Sequence, residues 1–99
     1  MSRLVLSPRV RDDLEAIWSY SVNLWGEEQA ARYILEIRDL CTALAEGRRR
    51  GRPCDEIRPG YRRLSIGAHL LFYRTEPDGT IDVVRILHQS MDIALHLAA

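Results

Sequence analysis

The chain has 99 residues, 46% hydrophobic and 28% charged, enough for one globular domain spanning residues 1–99 with ordinary stability, about 5–15 kcal/mol. That composition excludes a disordered chain, and the length excludes a second domain. No apolar run approaches about 18 residues and no basic-then-apolar start is present, so neither a membrane span nor a secretory signal is expected and the chain reads as cytoplasmic. Formal net charge is zero but unevenly spread: residues 1–46 carry five arginines against eight carboxylates, residues 47–63 seven against two, and residues 64–99 two against four. All fourteen basic side chains are arginine, a composition that either favours bidentate contacts to carboxylate and phosphate or reflects coding bias.

In chain order, Leu4-Val5-Leu6 reads as a short strand stopped by Ser7-Pro8. Ser7 suits an N-cap and Pro8 the first helical position. Val10, Leu14, Ile17, Trp18, Ser21 and Trp25 then recur at spacings of three and four, the mark of an amphipathic helix. Asp12 and Asp13 fall early in it, where the helix dipole favours negative charge. Gly26 interrupts the pattern. A second helix opens at Glu27-Glu28, with Ala30, Ile34, Ile37, Cys41 and Leu44 on its apolar face, joined by Tyr33 and Leu40, and ends near Glu46-Gly47. So short a connection predicts an antiparallel hairpin lying over a sheet.

Arg48 to Gly60, RRRGRPCDEIRPG, lacks periodicity and reads as a loop. Its arginines either solubilise a helix end or form an electropositive rim for an acidic partner. Three strands follow at Tyr61–Ile66, His69–Thr75 and Thr80–Leu87, turned by Gly67-Ala68 and Glu76-Pro77-Asp78-Gly79. Strict alternation in the last puts Asp82, Val84, Ile86 and His88 on one face and Ile81, Val83, Arg85 and Leu87 on the other. The tail SMDIALHLAA suits either a docked turn or helix, or an end that orders on a partner. Cys41 and Cys54 have no metal-like spacing and do not suggest a disulfide scaffold. His69, His88 and His96 show no ligand spacing, and no cofactor is expected. The fold class is α+β, β-α-α-β-β-β, with a helix hairpin packed on a mainly antiparallel sheet.

LSPRVRDDLEAIWSYSVNLWGEEQAARY at 6–33, GRP at 51–53, IRPGYRRLSIGAHLLFYR at 57–74 and VRILHQSMD at 84–92 resemble the ParE branch of the RelE/ParE family of bacterial toxins, over nearly the whole chain. The resemblance implies the toxin of a type II toxin–antitoxin pair that poisons DNA gyrase. It also implies a ParD-like antitoxin: a DNA-binding dimer whose C-terminal segment wraps the toxin, so that DNA is met only indirectly. RelE-like relatives instead cut messenger RNA on the ribosome. In their pattern Arg63 holds the position of a strand-borne basic residue and His88-Gln89 that of an acid/base pair, but Gln89 stands where some of those nucleases have tyrosine, and lysine is absent. The resemblance therefore favours a non-enzymatic toxin, with a ribonuclease, or a relative that binds antitoxin without being toxic, as the alternatives.

The residues expected to meet antitoxin or target are Trp25, Arg58, Arg62, Arg63, Arg74, Arg85, His88 and Gln89, with no catalytic residue. Each also has a structural reading. Trp18 and Trp25 read most simply as core, Trp25 otherwise as the edge of a groove. Arg63 and Arg85 suit ion pairs with Asp82 or Asp92, and His88 a hydrogen-bonded strand end.

Overall fold

Leu4–Leu6 forms β1, and Pro8 opens α1 (Pro8–Trp25) one residue later in the computed structural model, which describes residues 3–98. Ser7 occupies the N-cap position, yet its hydroxyl donates to the Val84 carbonyl at 2.9 Å rather than capping the helix. The predicted cap is therefore a stitch between the helix start and the sheet. Gly26, at φ 90°, reverses the chain into α2 (Glu27–Ala45), giving the expected hairpin.

Beyond it lie β2 (Arg52–Pro53), β3 (Arg62–Ile66), β4 (His69–Thr75), β5 (Ile81–His88) and α3 (Ile93–Ala98). The sheet order is β1-β5-β4-β3-β2, with β1 parallel to β5 and every other pair antiparallel. The strand β2 lies within the stretch read as loop. It pairs through only two residues, Arg52 with Arg63 and Pro53 with Arg62, too few for periodicity to register. Gly51 sets up that pairing: a Cβ there would stand 2.6 Å from the Arg63 carbonyl oxygen and 2.9 Å from the Tyr73 ring.

Two apolar layers flank the sheet. Val10 and Ile17 of α1 and Tyr33, Ile37, Leu40, Cys41 and Leu44 of α2 pack on Leu71, Tyr73, Ile81, Val83 and Ile86. On the opposite face Leu97 of α3 closes over Cys54, Phe72 and Leu87, so within the described residues the tail is a docked helix. Burial pushes the Cys41 thiol up to about 11, an inert core group. Trp18 and Trp25, expected in the core, are 39% and 42% exposed, because the narrow apolar stripe of α1 is filled by Val10, Ile17 and Ser21.

The strict alternation predicted for β5 fails at one place. Tyr73 pairs with Val83 but Phe72 with Arg85, a β-bulge that leaves Val84 unopposed. One extra residue flips every side chain beyond it. Ile86 therefore joins Ile81 and Val83 under the hairpin, while Leu87 joins Val84 on the α3 side. No helix of the described residues is long and apolar enough to cross a membrane.

Candidate functional site

The bulge decides which residues meet at the open end of the sheet. Regular pairing continued from Thr75 and Ile81 would set Leu87 opposite His69; the inserted residue brings His88 there instead. The two imidazoles lie 5.2 Å apart, centroid to centroid, at 88°. They line a cleft of about 470 Å³ with Ala16, Ile17, Tyr20 and Met91, between α1 and the ends of β4 and β5. Tyr20 stands edge-on to His88 at 5.8 Å and forms the outer wall.

Hydrogen bonding assigns the protons of this pair. The Tyr33 hydroxyl donates to the Ile66 carbonyl at 2.8 Å and lies 2.6 Å from His69 Nδ1. A carbonyl only accepts, so the phenol's one proton is committed there and Nδ1–H of His69 donates to Tyr33 Oη. Nε2 of His69 keeps its lone pair. At His88 the Ser90 amide donates to Nδ1 at 3.1 Å, with Ser90 Oγ 2.7 Å away, which places the proton on Nε2. Burial first, then the neighbouring His88, holds the His69 imidazole below its ordinary range, with Asp13 opposing. Gly67 makes room for this arrangement: its φ is +54° and a Cβ there would stand 2.7 Å from Tyr33 Oη.

Asp13 fixes the bulge. Its Oδ2 accepts from Arg85 Nε and from the Ile86 amide, and its Oδ1 from Arg85 Nη2, all at 2.9 Å. The side chains are 14% and 10% exposed for Arg85 and Asp13, so this is a part-buried, bidentate pair. The carboxylate raises Arg85 further above its ordinary range through these hydrogen bonds, against the cost of burial. The partner expected for Arg85 among Asp82 and Asp92 is thus Asp13, and the early helical position of Asp13 serves β5 rather than the dipole.

Other sequence candidates are also tied inward. Arg58 donates to the Leu97 carbonyl at 2.6 Å and lies over the Tyr61 ring at 5.4 Å, latching α3. Arg74 is shared by Asp82 at 3.1 Å and Glu76 at 3.2 Å on the surface. Gln89 is exposed, and its backbone amide donates to the Ala68 carbonyl. Trp25 stands edge-on to Tyr33 at 5.6 Å and borders a shallow hollow with Gln29, Arg32 and Glu36.

Five arginines differ. Arg49, Arg50, Arg52, Arg62 and Arg63 gather where the α2–β2 connection meets the outer edge of the sheet, and none has an ion-pair partner among the described residues. The edge is built: the Gly51 amide donates to Tyr73 Oη at 2.7 Å, and Arg62 Nη1 donates to the Gly51 carbonyl at 2.8 Å. Arg62 shares a cavity of about 410 Å³ with Arg49 and Arg50 on the hairpin side, while Arg63 alternates to the α3 side with Tyr61. Among the described residues, no three His, Cys, Asp or Glu side chains converge as a metal site.

The family described as the ParE toxin of the type II toxin–antitoxin system parDE matches residues 4–93. The chain belongs to the ParE toxin family. It is 51% identical over 96 residues to Toxin ParE1 of Mycobacterium tuberculosis H37Rv, covering 97% of this chain and 98% of that one. To Toxin ParE1 of Caulobacter vibrioides it is 42% identical over 92 residues, covering 93% and 94%. Among solved structures, a chain of the chromosomal ParDE system of P. aeruginosa superposes with a TM-score of 0.76 at 26% identity, covering 89% of this chain and 96% of that one. A chain of the RelBE2 toxin–antitoxin complex of M. tuberculosis gives 0.64 at 18% identity over 88% and 96%, a likeness of fold.

This ParE-family chain is therefore a toxin of a type II toxin–antitoxin system with the expected α+β architecture. Residue-by-residue reading singled out His88 but passed over His69, Tyr33 and Asp13. Spacing could not join His69 to His88, because the bulge sets their register. The signal that was present is the Gly67-Ala68 turn, which places His69 at the start of β4, beside the end of β5.

Proposed function

We propose that this chain inhibits DNA gyrase by binding it, without catalysis, and is neutralised by a ParD-like antitoxin whose C-terminal segment wraps the toxin. The observation that carries the neutralisation is the arginine edge: five arginines gathered along one border of the sheet, none of them ion-paired among the described residues. Such a surface draws acidic side chains of a partner and fixes their register. The outer face of the hairpin, where Trp18, Tyr20, Leu24, Trp25 and Leu35 are exposed, suits an amphipathic helix of the same segment.

Absence of catalysis is supported by the chemistry of the cleft. Cleaving RNA at a 2′-hydroxyl needs a base, an acid and a cation for the developing phosphorane charge. His69 and His88 offer ring nitrogens, but among the described residues no arginine lines the cleft, and Arg85, on the strand of His88, is committed to Asp13. The histidine pair is the one observation that favours a ribonuclease. Both readings meet in one experiment, in which purified toxin is added to gyrase supercoiling and DNA-cleavage reactions and, in parallel, to in vitro translation. Gyrase inhibition with translation intact is the expected result; ribosome-dependent mRNA cleavage with gyrase unaffected reverses the assignment.

A further inference from the structure

The cleft at His69 and His88 is separate from the arginine edge, and its chemistry selects a different kind of group. Its volume of about 470 Å³ lies within the roughly 300–1,000 Å³ of ligand pockets. Ala16, Ile17, Ile86 and Met91 give it apolar walls. At its floor His69 is only 5% exposed, and its Nε2 has no hydrogen-bond partner among the described residues. This ring nitrogen is an acceptor that no protein group among the described residues uses, so a group that brings a donor gains a hydrogen bond in addition to apolar contact. An anion gains little there. Among the described residues no arginine lines the cleft, burial disfavours a charge on His69, and an anion would face the Asp13 carboxylate at the border. A nucleotide, which brings phosphate, is disfavoured on the same ground. The outer wall, Tyr20, lies one turn before exposed Leu24 on the same face of α1, part of the surface offered to the wrapping segment.

We propose that this cleft is the anchor pocket for one aromatic side chain of the antitoxin, an indole whose N–H donates to His69 Nε2 while its ring lies against Tyr20 and Met91. The inference rests on neutralisation by a wrapping antitoxin, and its test separates the two.

The full chain, with ¹⁵N-labelled histidine, is titrated with indole and with N-methylindole at millimolar concentration. Indole shifts the His69 Nε2 resonance, and N-methylindole, lacking the donor, binds about tenfold more weakly, the value of one hydrogen bond. Ala16→Trp fills the cleft from its wall and abolishes both responses. Should that variant fail to fold, His69→Phe keeps an aromatic ring, removes the acceptor and brings the two probes to equal affinity. Equal binding of both probes to the wild-type chain, or no response to either, overturns the pocket. Calorimetry with the cognate ParD-like antitoxin supplies the other arm, with Ala16→Trp or His69→Phe expected to weaken binding at least about tenfold through the same lost contact. Antitoxin that binds these variants as tightly as wild type overturns the pocket and leaves neutralisation standing. Antitoxin that fails to bind the wild-type chain overturns both.

Discussion

Arg85 and Arg63 are both strand arginines near the ends of one sheet, and their surroundings are opposite. Arg85 is enclosed, with its guanidinium matched to Asp13 on two nitrogens. Arg63 is half-buried at the other edge with no carboxylate partner among the described residues, beside Arg52 across the β2–β3 pair. Composition treats the two alike. Pairing separates them: a compensated charge holds the fold, and an uncompensated one is available to a partner, because an unpaired charge kept half-buried has a cost that a partner's carboxylate can offset.

Removing one member of the enclosed pair should give the largest effect. Asp13→Ala leaves a part-buried guanidinium and an orphaned Ile86 amide, and is expected to cost up to about 3 kcal/mol in urea unfolding. A loss below about 1 kcal/mol would mean that water reaches the pair and that it resembles a surface bridge. Gly67→Ala comes next. The left-handed φ alone costs about 1–2 kcal/mol, and the new methyl also meets Tyr33 Oη, so the thermal midpoint falls and His69 Nδ1 loses its partner.

At the free edge the effects appear in association. Arg63→Glu or Arg62→Glu should slow antitoxin association about tenfold and flatten its dependence on ionic strength, with the folded chain intact. Arg74→Glu, whose charge Asp82 and Glu76 already balance, should change association least. If stopped-flow rates are equal in all three variants, the exposed hairpin face carries the recognition.

The smallest effect is in pH. His69 is held below its ordinary 6.5 by burial and by His88, with Asp13 opposing, in surroundings that also include Tyr33 and Tyr20. The unfolded chain therefore binds this proton more readily than the folded one. The corresponding stability is complete above about pH 6.5 and declines as pH falls toward the lower folded value. His69→Asn should flatten that slope in chemical denaturation between neutral and mildly acid pH; an unchanged slope would assign it to other groups.

Much of the fold was legible because it follows from short-range patterns: spacings of three and four for the hairpin, Gly26 as the reversal, turns at Gly67 and Gly79. The charge excess of residues 47–63 likewise marked the arginine edge before any geometry. What escaped depends on pairing between distant residues. Two paired residues are too few to show β2 by alternation, and Ser7 reads as a cap until Val84 is beside it. The tryptophans of α1 fit a core stripe until smaller residues are seen to fill it. The apposition of His69 and His88 depends on one residue of slip in β5, which no propensity encodes.

That slip carries a counterintuitive consequence for tolerance to length change. Deleting Val84 would give β4 and β5 an uninterrupted ladder, a change that local β-sheet energetics favours. Because Phe72 already pairs with Arg85 and His69 with His88, the two histidines would still face each other, and the loss would fall instead on the Val84 carbonyl that Ser7 Oγ reaches and on the Val84 side chain packed on the α3 side. The more regular sheet would keep the cleft and loosen the hold of β5 on the start of α1.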